Sequence, residues 1–278
     1  MATASPMKAW TASEPVPTSV EELVRLGFAQ VSNHPVLLKK LTLLRRRETP
    51  PREFRTLVKE ITFYLGYEAT RTLTTRPAVV ETPLGEHEGV QLAQHICICP
   101  VLRAGLGMLD PMLELLPNAD VHHIGMYRNK SSLLPIQYYN KLPRRDPAAG
   151  GGEGDVAFVL DPMLATAATM SACVAILKQW GAAKIVVVCL VASRPGLARL
   201  HAKHPDVTVF CGEIDASLTD SGFIFPGLGD AGDRLFSTPA EAEARGRVIR
   251  RRESYDAAED DDEAPADGAP AKLPRVEE

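Results

Sequence analysis

The chain has 278 residues, of which 45% are hydrophobic and 24% are charged, with a formal net charge of -4 and a pI near 6.0. This composition is typical of a soluble globular protein with one large domain or two small ones, and the charge argues against nucleic acid or an anionic membrane as a partner. No apolar run reaches the length of a membrane span and no secretory signal opens the chain, so we expect a cytoplasmic protein.

The first 70 residues predict a leader followed by three helices. Residues 1–17 contain three prolines and no apolar period, which indicates a flexible leader. Helices are predicted over about 20–26, over about 34–45 and after Pro51, the third with one continuous apolar face. A basic run at residues 45–47 is expected to be a solvated helix end.

From residue 74 onward, short extended runs alternate with helical patterns. A β-hairpin is predicted over 74–89. The other predicted strands are 95–102, 121–127, 156–160, 184–192 and 207–211, with helices over 108–116, over 195–204 and in the Ala-rich segment that ends at Trp180. This alternation predicts an α/β fold with a largely parallel sheet, in which ligands bind at the carboxyl ends of the strands.

The five cysteines do not form a disulfide framework, because an odd number cannot all pair within one chain. Cys97 and Cys99 alternate along a strand-like run, so both are expected to point to one buried face. None of the cysteines or histidines has the spacing of metal ligands. We therefore predict no resident metal centre.

The stretch around Asp161 carries the clearest chemical signal. A wholly apolar strand ends at this aspartate, and small residues and hydroxyls then open a helix. The N–H groups and dipole of a helix N-terminus favour an anion such as phosphate, whereas the carboxylate is better placed to accept from sugar hydroxyls. Asp161 with Thr166 and Thr169 therefore suggests a phosphorylated sugar. A core strand followed by a helix capped by either threonine fits the local pattern equally well.

Two arginines follow neighbouring strands at the same predicted sheet edge. Arg103 comes after strand 95–102, and Arg128 comes after strand 121–127. Guanidinium groups match phosphate oxygens bidentately, so both can converge with the Asp161 loop on one highly anionic ligand. A lone arginine at a strand end is usually a surface charge, but two of them beside such a loop favour a binding site.

The segment 223–236 contains glycines at 227, 229 and 232, which allow a close approach of the backbone to a ligand. Such a loop can recognise the edge of a flat heterocycle through main-chain hydrogen bonds. The alternative is a glycine-rich turn that closes the domain and is stabilised by Asp233 and Arg234.

The composition changes after residue 238. Basic residues and then an acidic run are followed by Pro, Ala and Gly, with no apolar period. Charge blocks of this kind remain disordered. We therefore expect residues 239–278 to form a charged, disordered tail, to which we assign no chemistry, and residues 18–238 to form the folded domain.

Seven separated segments together resemble the uracil phosphoribosyltransferases over about residues 30–238. They occur in the family's order, which makes the combination far more specific than any single segment. The segments are His34-Pro35 with Lys39-Lys40-Leu41, Tyr67-Glu68-Ala69-Thr70, and residues 100–108, 123–128, 138–143, 161–166 and 226–234.

The resemblance implies a type I phosphoribosyltransferase-like fold: a parallel sheet flanked by helices, with a small hood over its carboxyl edge and an oligomerising β-arm. It implies that uracil and 5-phospho-α-D-ribose 1-diphosphate (PRPP) react to give UMP and diphosphate. Mg²⁺ is the implied cofactor, bound through the PRPP diphosphate rather than by protein ligands. The resemblance also implies a homo-oligomer, either a dimer or a tetramer, and GTP as a candidate effector.

Carried over position by position, the resemblance also implies roles for individual residues. Arg103 and Arg128 would hold the diphosphate, Asp161 would accept from the ribose hydroxyls, and Asp230 would face the phosphoribosyl group; Asp230 and the two arginines are the implied catalytic residues. The remaining implied PRPP-binding residues are Pro162, Met163, Leu164, Ala165, Thr166, Ala167, Ala168 and Thr169, with 166–169 around the 5′-phosphate. Uracil would meet the backbone of Ile224, Gly229, Asp230 and Ala231.

The implied reaction displaces diphosphate from the anomeric carbon. Because negative charge develops on the leaving group, its stabilisation by Mg²⁺ and two arginines matters more than a strong nucleophile. Closure of the segment 128–142 would exclude water and limit hydrolysis of PRPP.

One pair of residues departs from the family pattern. Where the family has Ala-Thr-Gly-Gly, this chain has Ala165-Thr166-Ala167-Ala168. An alanine that must adopt positive φ costs on the order of 1 kcal/mol, whereas an alanine in helical conformation keeps the amide and favours the helix.

The sequence therefore leaves three functional hypotheses open. The leading one is an active uracil phosphoribosyltransferase of pyrimidine salvage. The second is a catalytically impaired relative that binds uracil, UMP or a nucleotide and acts as a regulatory or assembly protein. The third is a nucleotide-binding module without transferase chemistry.

Overall fold

The computed structural model describes residues 19–128, 135–144 and 155–238. The expected leader and the expected tail lie outside these residues. The stretch 147–154, which is rich in Gly and Ala and is expected to be a loop, also lies outside them. Within the described ranges, no helix combines the length and apolar character needed to cross a bilayer.

Three helices occupy the N-terminal part, as the sequence predicts. They are α1 (Val20–Arg25), α2 (Pro35–Arg45) and α3 (Pro51–Thr70). The Oγ of Ser19 accepts from the Glu22 N–H at 3.1 Å and so caps α1. Prolines begin α2 and α3, where a missing N–H breaks no intrahelical hydrogen bond.

A nine-stranded sheet forms the centre of the molecule. Its strands are β1 (Ala29–Val31), β4 (Ile96–Leu102), β5 (Asp120–Val121), β6 (Ile124–Arg128), β7 (Pro135–Asn140), β8 (Val156–Leu160), β9 (Met163–Leu164), β10 (Lys184–Ser193) and β11 (Thr208–Asp215). The main order is β1-β11-β10-β8-β4-β6-β7, while β5 pairs with β4 and β9 with β10. Among the described pairings of this sheet, only β6 with β7 is antiparallel.

Two hydrophobic clusters cover the two faces of the sheet. The first joins α2 and α3 to strand residues such as Ile98, Phe158 and Val188. The second contains the alternate strand residues, including Cys97 and Cys99, together with Leu23 of α1. All five cysteines are buried thiols, as predicted. The remaining helical elements are a 3₁₀ helix (Ala104–Met108), α4 (Leu109–Leu115), α5 (Ala168–Trp180), α6 (Arg194–Lys203) and α7 (Ala231–Phe236). Helices α5 and α6 contribute to the second cluster, and the other three contribute to the first.

Two short antiparallel hairpins lie outside the main sheet. The first pairs β2 (Thr75–Thr82) with β3 (Gly85–Leu92), which confirms the predicted hairpin and extends it by three residues. The second pairs β12 (Ser217–Leu218) with β13 (Ile224–Phe225), directly after the carboxyl end of β11. A parallel sheet flanked by helices, with a projecting hairpin, is the fold class that the sequence predicts.

Several boundaries differ from the prediction. The strand expected over 121–127 is two strands, both paired with β4: β5 ends at Val121 opposite Ile98, and β6 begins at Ile124 opposite Val101. Strand β11 extends to Asp215, since its pairing with β10 continues to Ser193. Helix α7 was not predicted at all, because it lies in the glycine-rich segment.

Candidate active site

A cleft of about 230 Å³ opens at the carboxyl ends of β4, β6 and β8. Segments that are far apart in the sequence meet here. Its lining includes seven residues of the predicted site, namely Arg103, Asp161, Met163, Ala165, Thr169, Asp230 and Ala231. The three predicted binding segments, after β4, after β8 and in the glycine-rich loop, therefore border one cavity.

Asp161 follows β8 directly and is half-buried in this cleft. Burial raises the pKa of its carboxyl group to about 7; the hydrogen bond from the Met163 N–H opposes this rise and the charge of Asp230 adds to it. That hydrogen bond is long, at 3.4 Å. Among the described residues, only the Met163 N–H donates to the ionised carboxylate, and a ligand hydroxyl would stabilise it further.

The loop between β8 and α5 resolves the question of the two alanines. Ala167 lies in the left-handed region, with φ 61° and ψ 5°, and Ala168 is the first residue of α5. The strained alternative thus holds for Ala167, at a cost of about 1 kcal/mol, and the helical alternative holds for Ala168. The first turn of α5 presents N–H groups without partners inside the helix, and the helix dipole favours an anion beside them.

The phosphate-type loop is supported from behind by the junction of β10 and α6. The buried Ser193 Oγ donates to the Ala165 carbonyl at 2.6 Å and accepts from the Gly196 N–H at 3.0 Å. A Cβ at Gly196 would lie 2.1 Å from the Ala165 oxygen, so only glycine fits this approach. No local sequence pattern reveals this contact, since Ser193 lies 28 residues from Ala165.

Arg103 extends from the end of β4 toward α7. Its Nη2 lies 3.1 Å from the Asp233 Oδ1, its Nη1 lies 3.2 Å from the Thr238 Oγ1, and the side chain is 53% exposed. The Asp233 N–H in turn donates to the Asp230 Oδ1 at 2.9 Å, which caps α7. A half-exposed guanidinium at the cleft can therefore exchange these partners for ligand oxygens.

Arg128 is the last residue of β6, so its backbone lies at the same sheet edge as Arg103. Its side chain and residues 129–134, which belong to the segment 128–142 for which closure is predicted, lie outside the described part of the chain.

The other predicted binding residues do not line this cleft. Pro162, Leu164 and Ile224 are buried, and Gly229 is exposed with φ 80°. Another group, Thr166, Ala167 and Ala168, lines a second cleft of about 580 Å³ on the α6 side. The loop thus separates two clefts.

The glycine-rich segment combines both predicted alternatives. Asp230 and Ala231 line the cleft, while Arg234 is buried and donates to the Leu228 carbonyl at 2.7 Å.

The prediction for the basic run at 45–47 needs a correction. Arg46 and Arg47 are exposed as predicted, but Arg45 is largely buried because it pairs with Glu213 and Asp215.

Most of this chain is similar to proteins of one known family. A family model described as uracil phosphoribosyltransferase matches residues 31–238. The chain is 48% identical over 213 residues to the uracil phosphoribosyltransferase of Roseiflexus sp. (strain RS-1), a match that covers 77% of this chain and 100% of that protein. It is 46% identical over 209 residues to the uracil phosphoribosyltransferase of Thermosipho melanesiensis, covering 75% and 98%.

Among solved structures, the chain is similar to the AQ2163 protein from Aquifex aeolicus. The TM-score is 0.70 at 34% sequence identity, and the match covers 76% of this chain and 98% of that one. The main sheet and its flanking helices therefore have a counterpart of known structure.

Proposed function

The chain belongs to the uracil phosphoribosyltransferase family, and from this premise we propose that it forms UMP and diphosphate from uracil and PRPP. The observation that carries the proposal is the single cleft in which Arg103, Asp161 and Asp230 meet. These residues come from three separate segments, and each offers the chemistry that one part of the two substrates requires.

Each part of PRPP has a matching element in the proposed site. The Asp161 carboxylate accepts from the ribose hydroxyls, the first turn of α5 holds the 5′-phosphate, and Arg103 with Arg128 binds the diphosphate. The backbone around Asp230 and Ala231 faces the pyrimidine. Guanidinium groups at the leaving diphosphate stabilise the charge that grows there during displacement at the anomeric carbon.

The donor set of the cleft fits Mg²⁺ that arrives with PRPP. Among the described residues, no group of three or more His, Cys, Asp or Glu side chains could hold a metal ion. The cleft does offer the carboxylates of Asp161 and Asp230, and Mg²⁺ is commonly held by one or two carboxylates together with substrate phosphates. When bound, Mg²⁺ supplies further neutralisation of the diphosphate charge.

The test is UMP formation from labelled uracil and PRPP, with Mg²⁺ and with a chelator. We expect UMP and diphosphate in equal amounts, and only with Mg²⁺. Cytosine should be rejected, because backbone groups arranged for the carbonyl edge of uracil would be left unpaired. A folded protein that forms no UMP would contradict the proposal, and equal turnover of cytosine would contradict the role of the glycine-rich loop.

The diphosphate role of Arg103 is tested by Arg103→Ala. We expect KM for PRPP to rise at least about tenfold while KM for uracil changes little, because charge-assisted hydrogen bonds to the diphosphate are lost. Arg47→Ala, on an exposed residue away from the cleft, is the control. Equal increases in both KM values would refute the assignment.

A second candidate, the catalytically impaired relative, is favoured by one observation, the left-handed conformation of Ala167. Ala167→Gly relieves that conformation, whereas Ala168→Gly removes a helix-favouring residue at the start of α5. Substantial turnover in the unchanged protein favours the enzyme. A rise from near zero in the Ala167→Gly protein alone favours the impaired relative.

The remaining properties are part of the same proposal. The hairpin formed by β2 and β3 exposes apolar side chains, which supports a homo-oligomer built through this arm. GTP as an effector and a cytoplasmic location stay predictions from the sequence.

A further inference from the structure

Two buried arginines contact the glycine-rich segment immediately before the residues that face the cleft. Arg45, at the end of α2, reaches Gly227, and Arg234, in α7, reaches Leu228. The two contacted peptides are consecutive, and residues 229–231 follow them directly. Neither arginine lines the cleft itself, so both can act on a ligand only through the backbone.

The Gly227 peptide is held at both of its polar atoms. The Arg45 Nη1 donates to the Gly227 carbonyl at 2.8 Å, and the Asp215 Oδ2 accepts from the Gly227 N–H at 2.9 Å. Gly227 has φ +60°, and a Cβ there would lie 2.2 Å from the Ile224 carbonyl oxygen. The position thus accepts only glycine, and the pair of charged side chains fixes its orientation.

Arg45 is itself fixed by a fork of ionic hydrogen bonds. Its Nη1 and Nη2 lie 2.8 and 2.9 Å from the two oxygens of Asp215, while Nε and Nη2 lie 3.2 and 2.9 Å from the Glu213 Oε2. The side chain of Asp215 is 7% exposed and that of Arg45 is 17% exposed. A bidentate pair of this burial has one geometry, which is the property needed to set a backbone position.

The next peptide is held in the same manner. Arg234 donates from Nη1 to the Leu228 carbonyl and from Nη2 to the Arg46 carbonyl, and its guanidinium lies over the Phe54 ring at 4.2 Å. The end of α2 therefore contacts the segment twice, once through the Arg45 side chain and once through the Arg46 carbonyl. Helix α2, strand β11 and helix α7 together define where residues 229–231 lie.

We propose that Arg45, acting with Asp215, is a positioning residue that sets the specificity of the site for its pyrimidine. By fixing the Gly227 peptide, the pair places the backbone donors and acceptors of residues 229–231 at the edge of the base. The inference rests on the proposed function, because it takes uracil as the base that this backbone contacts. It assigns a role to a residue that touches neither substrate.

The test compares Arg45→Met with the unchanged protein in KM for uracil, KM for PRPP and the preference for uracil over cytosine. We expect KM for uracil to rise about tenfold and the preference to fall by a similar factor, because misplaced backbone groups no longer match the base edge. KM for PRPP should rise less than KM for uracil, since Asp230 is the one proposed PRPP-binding residue in the segment that Arg45 positions. The KM values and the preference for uracil over cytosine do not depend on the fraction of protein that folds.

Arg45→Met leaves the Asp215 carboxylate buried without its partner, so a second protein is needed in case the first fails to fold. The double variant Arg45→Met/Asp215→Asn removes both charges and should show the same loss of preference. Arg45→Lys keeps a charge but not the fork, so we expect it to restore the preference only in part.

Two controls separate positioning from general loss of stability. Lys40→Met breaks another ion pair of α2, with Glu60 at 2.6 Å, that does not contact the glycine-rich segment. Arg47→Met removes an exposed charge two residues away. Both should keep the uracil preference of the unchanged protein.

Hydrogen exchange of the peptide that covers residues 224–235 gives a readout without turnover. We expect faster exchange in Arg45→Met than in Lys40→Met, since only the first variant frees the Gly227 peptide. Unchanged exchange together with an unchanged uracil preference would overturn the inference while leaving the proposed function intact. An unchanged protein that forms no UMP would overturn the proposed function, and with it the assignment of uracil to this backbone.

Discussion

Asp161 is the residue at which binding and stability conflict. In the proposed function its carboxylate is ionised and accepts from the ribose hydroxyls, yet burial and the charge of Asp230 favour the protonated form in the ligand-free protein. PRPP would relieve this conflict by supplying donors. The conflict can be measured as a pH dependence of the free energy of unfolding, because the pKa of the carboxyl group is near 3.8 in the unfolded chain and about 7 in the folded protein.

Asp161→Asn should stabilise the ligand-free protein in a pH-dependent manner. In the unchanged protein, the raised pKa of Asp161 contributes fully to the free energy of unfolding below pH 4, and this contribution is lost as pH rises toward 7. Asparagine does not titrate, so the variant shows no such loss. The gain in free energy of unfolding from the substitution should therefore increase by about 2 kcal/mol between pH 5 and pH 7 and level off above pH 8. Urea unfolding at pH 5, 6, 7 and 8 measures it.

Asp206→Asn is the matched control, with the opposite sign. Although burial alone would raise the pKa of Asp206, its hydrogen bond and charge interaction with Lys178 lower it. The substitution should therefore cost more stability at pH 7 than near pH 3. A gain from Asp161→Asn that is constant across pH would show that the Asp161 pKa is not raised.

At the scale of elements, the phosphate-type loop is held by the carboxyl end of β10 rather than by its own strand alone. Ser193 and Gly196 bring the start of α6 against the Ala165 carbonyl. The Ala165 end of the loop between β8 and α5 is thereby fixed, which lowers the cost of ordering the loop when phosphate binds.

Gly196→Ala should disturb that support. Its Cβ would overlap the Ala165 carbonyl, so the loop or the start of α6 must move, and we expect a higher KM for PRPP with a smaller effect on uracil. Ser193→Ala leaves the same carbonyl without its donor, which should cost about 1–3 kcal/mol of stability. Steady-state kinetics and urea unfolding measure the two effects.

The control for Gly196→Ala is Gly89→Ala, on the projecting hairpin. A Cβ at Gly89 would meet its nearest atom at 3.6 Å, an ordinary contact. If Gly196→Ala keeps the KM for PRPP of the unchanged protein, the loop does not depend on α6.

The elements with strong local patterns were predictable from the sequence, and the contacts between distant segments were not. Strand β8 and helix α5 were predicted because a wholly buried strand is apolar throughout and a helix repeats its apolar residues. Strand β1 has three residues, too few for any period. Arg45 was mistaken for a solvated helix end because its partner Asp215 lies 170 residues away, and no local pattern reveals such a pair.

The candidate site was predictable to the same degree. Strand ends identified Arg103 and Asp161, and the family resemblance added Asp230; the three residues meet in one cleft. The conformation of Ala167 could not be predicted, because alanine is compatible with both alternatives and only the path from β9 into α5 decides between them. The supporting residues behind the loop were missed for the same reason as Asp215.

At the scale of the whole molecule, the hairpin of β2 and β3 carries the most exposed apolar side chains among the described residues. Val79, Leu84 and Val90 are 66%, 99% and 71% exposed. Apolar side chains concentrated on one projecting arm indicate a protein–protein interface. This arm is where the proposed homo-oligomer would form.

Val79→Asp/Val90→Asp should convert the oligomer to monomer, because two charges would be buried without partners at the interface. Sedimentation velocity measures the change. Thr42→Asp, at an exposed position of α2, adds a charge away from the arm and should leave the oligomer intact. An unchanged protein that sediments as a monomer would contradict the role of the arm.

The pairing of β1 with β11 also sets the order in which the protein can be completed during its synthesis. Ala29 pairs with Val209, and Arg45 cannot form its ion pair until Asp215, 170 residues later, has been synthesised. At a translation rate of roughly 5–20 residues per second, about 10–35 s separate the synthesis of these two charged partners. Contacts of such long range form late, because the intervening chain must be ordered first. The β1 edge of the sheet and the glycine-rich segment are therefore expected to be the last parts of the nascent domain to assemble.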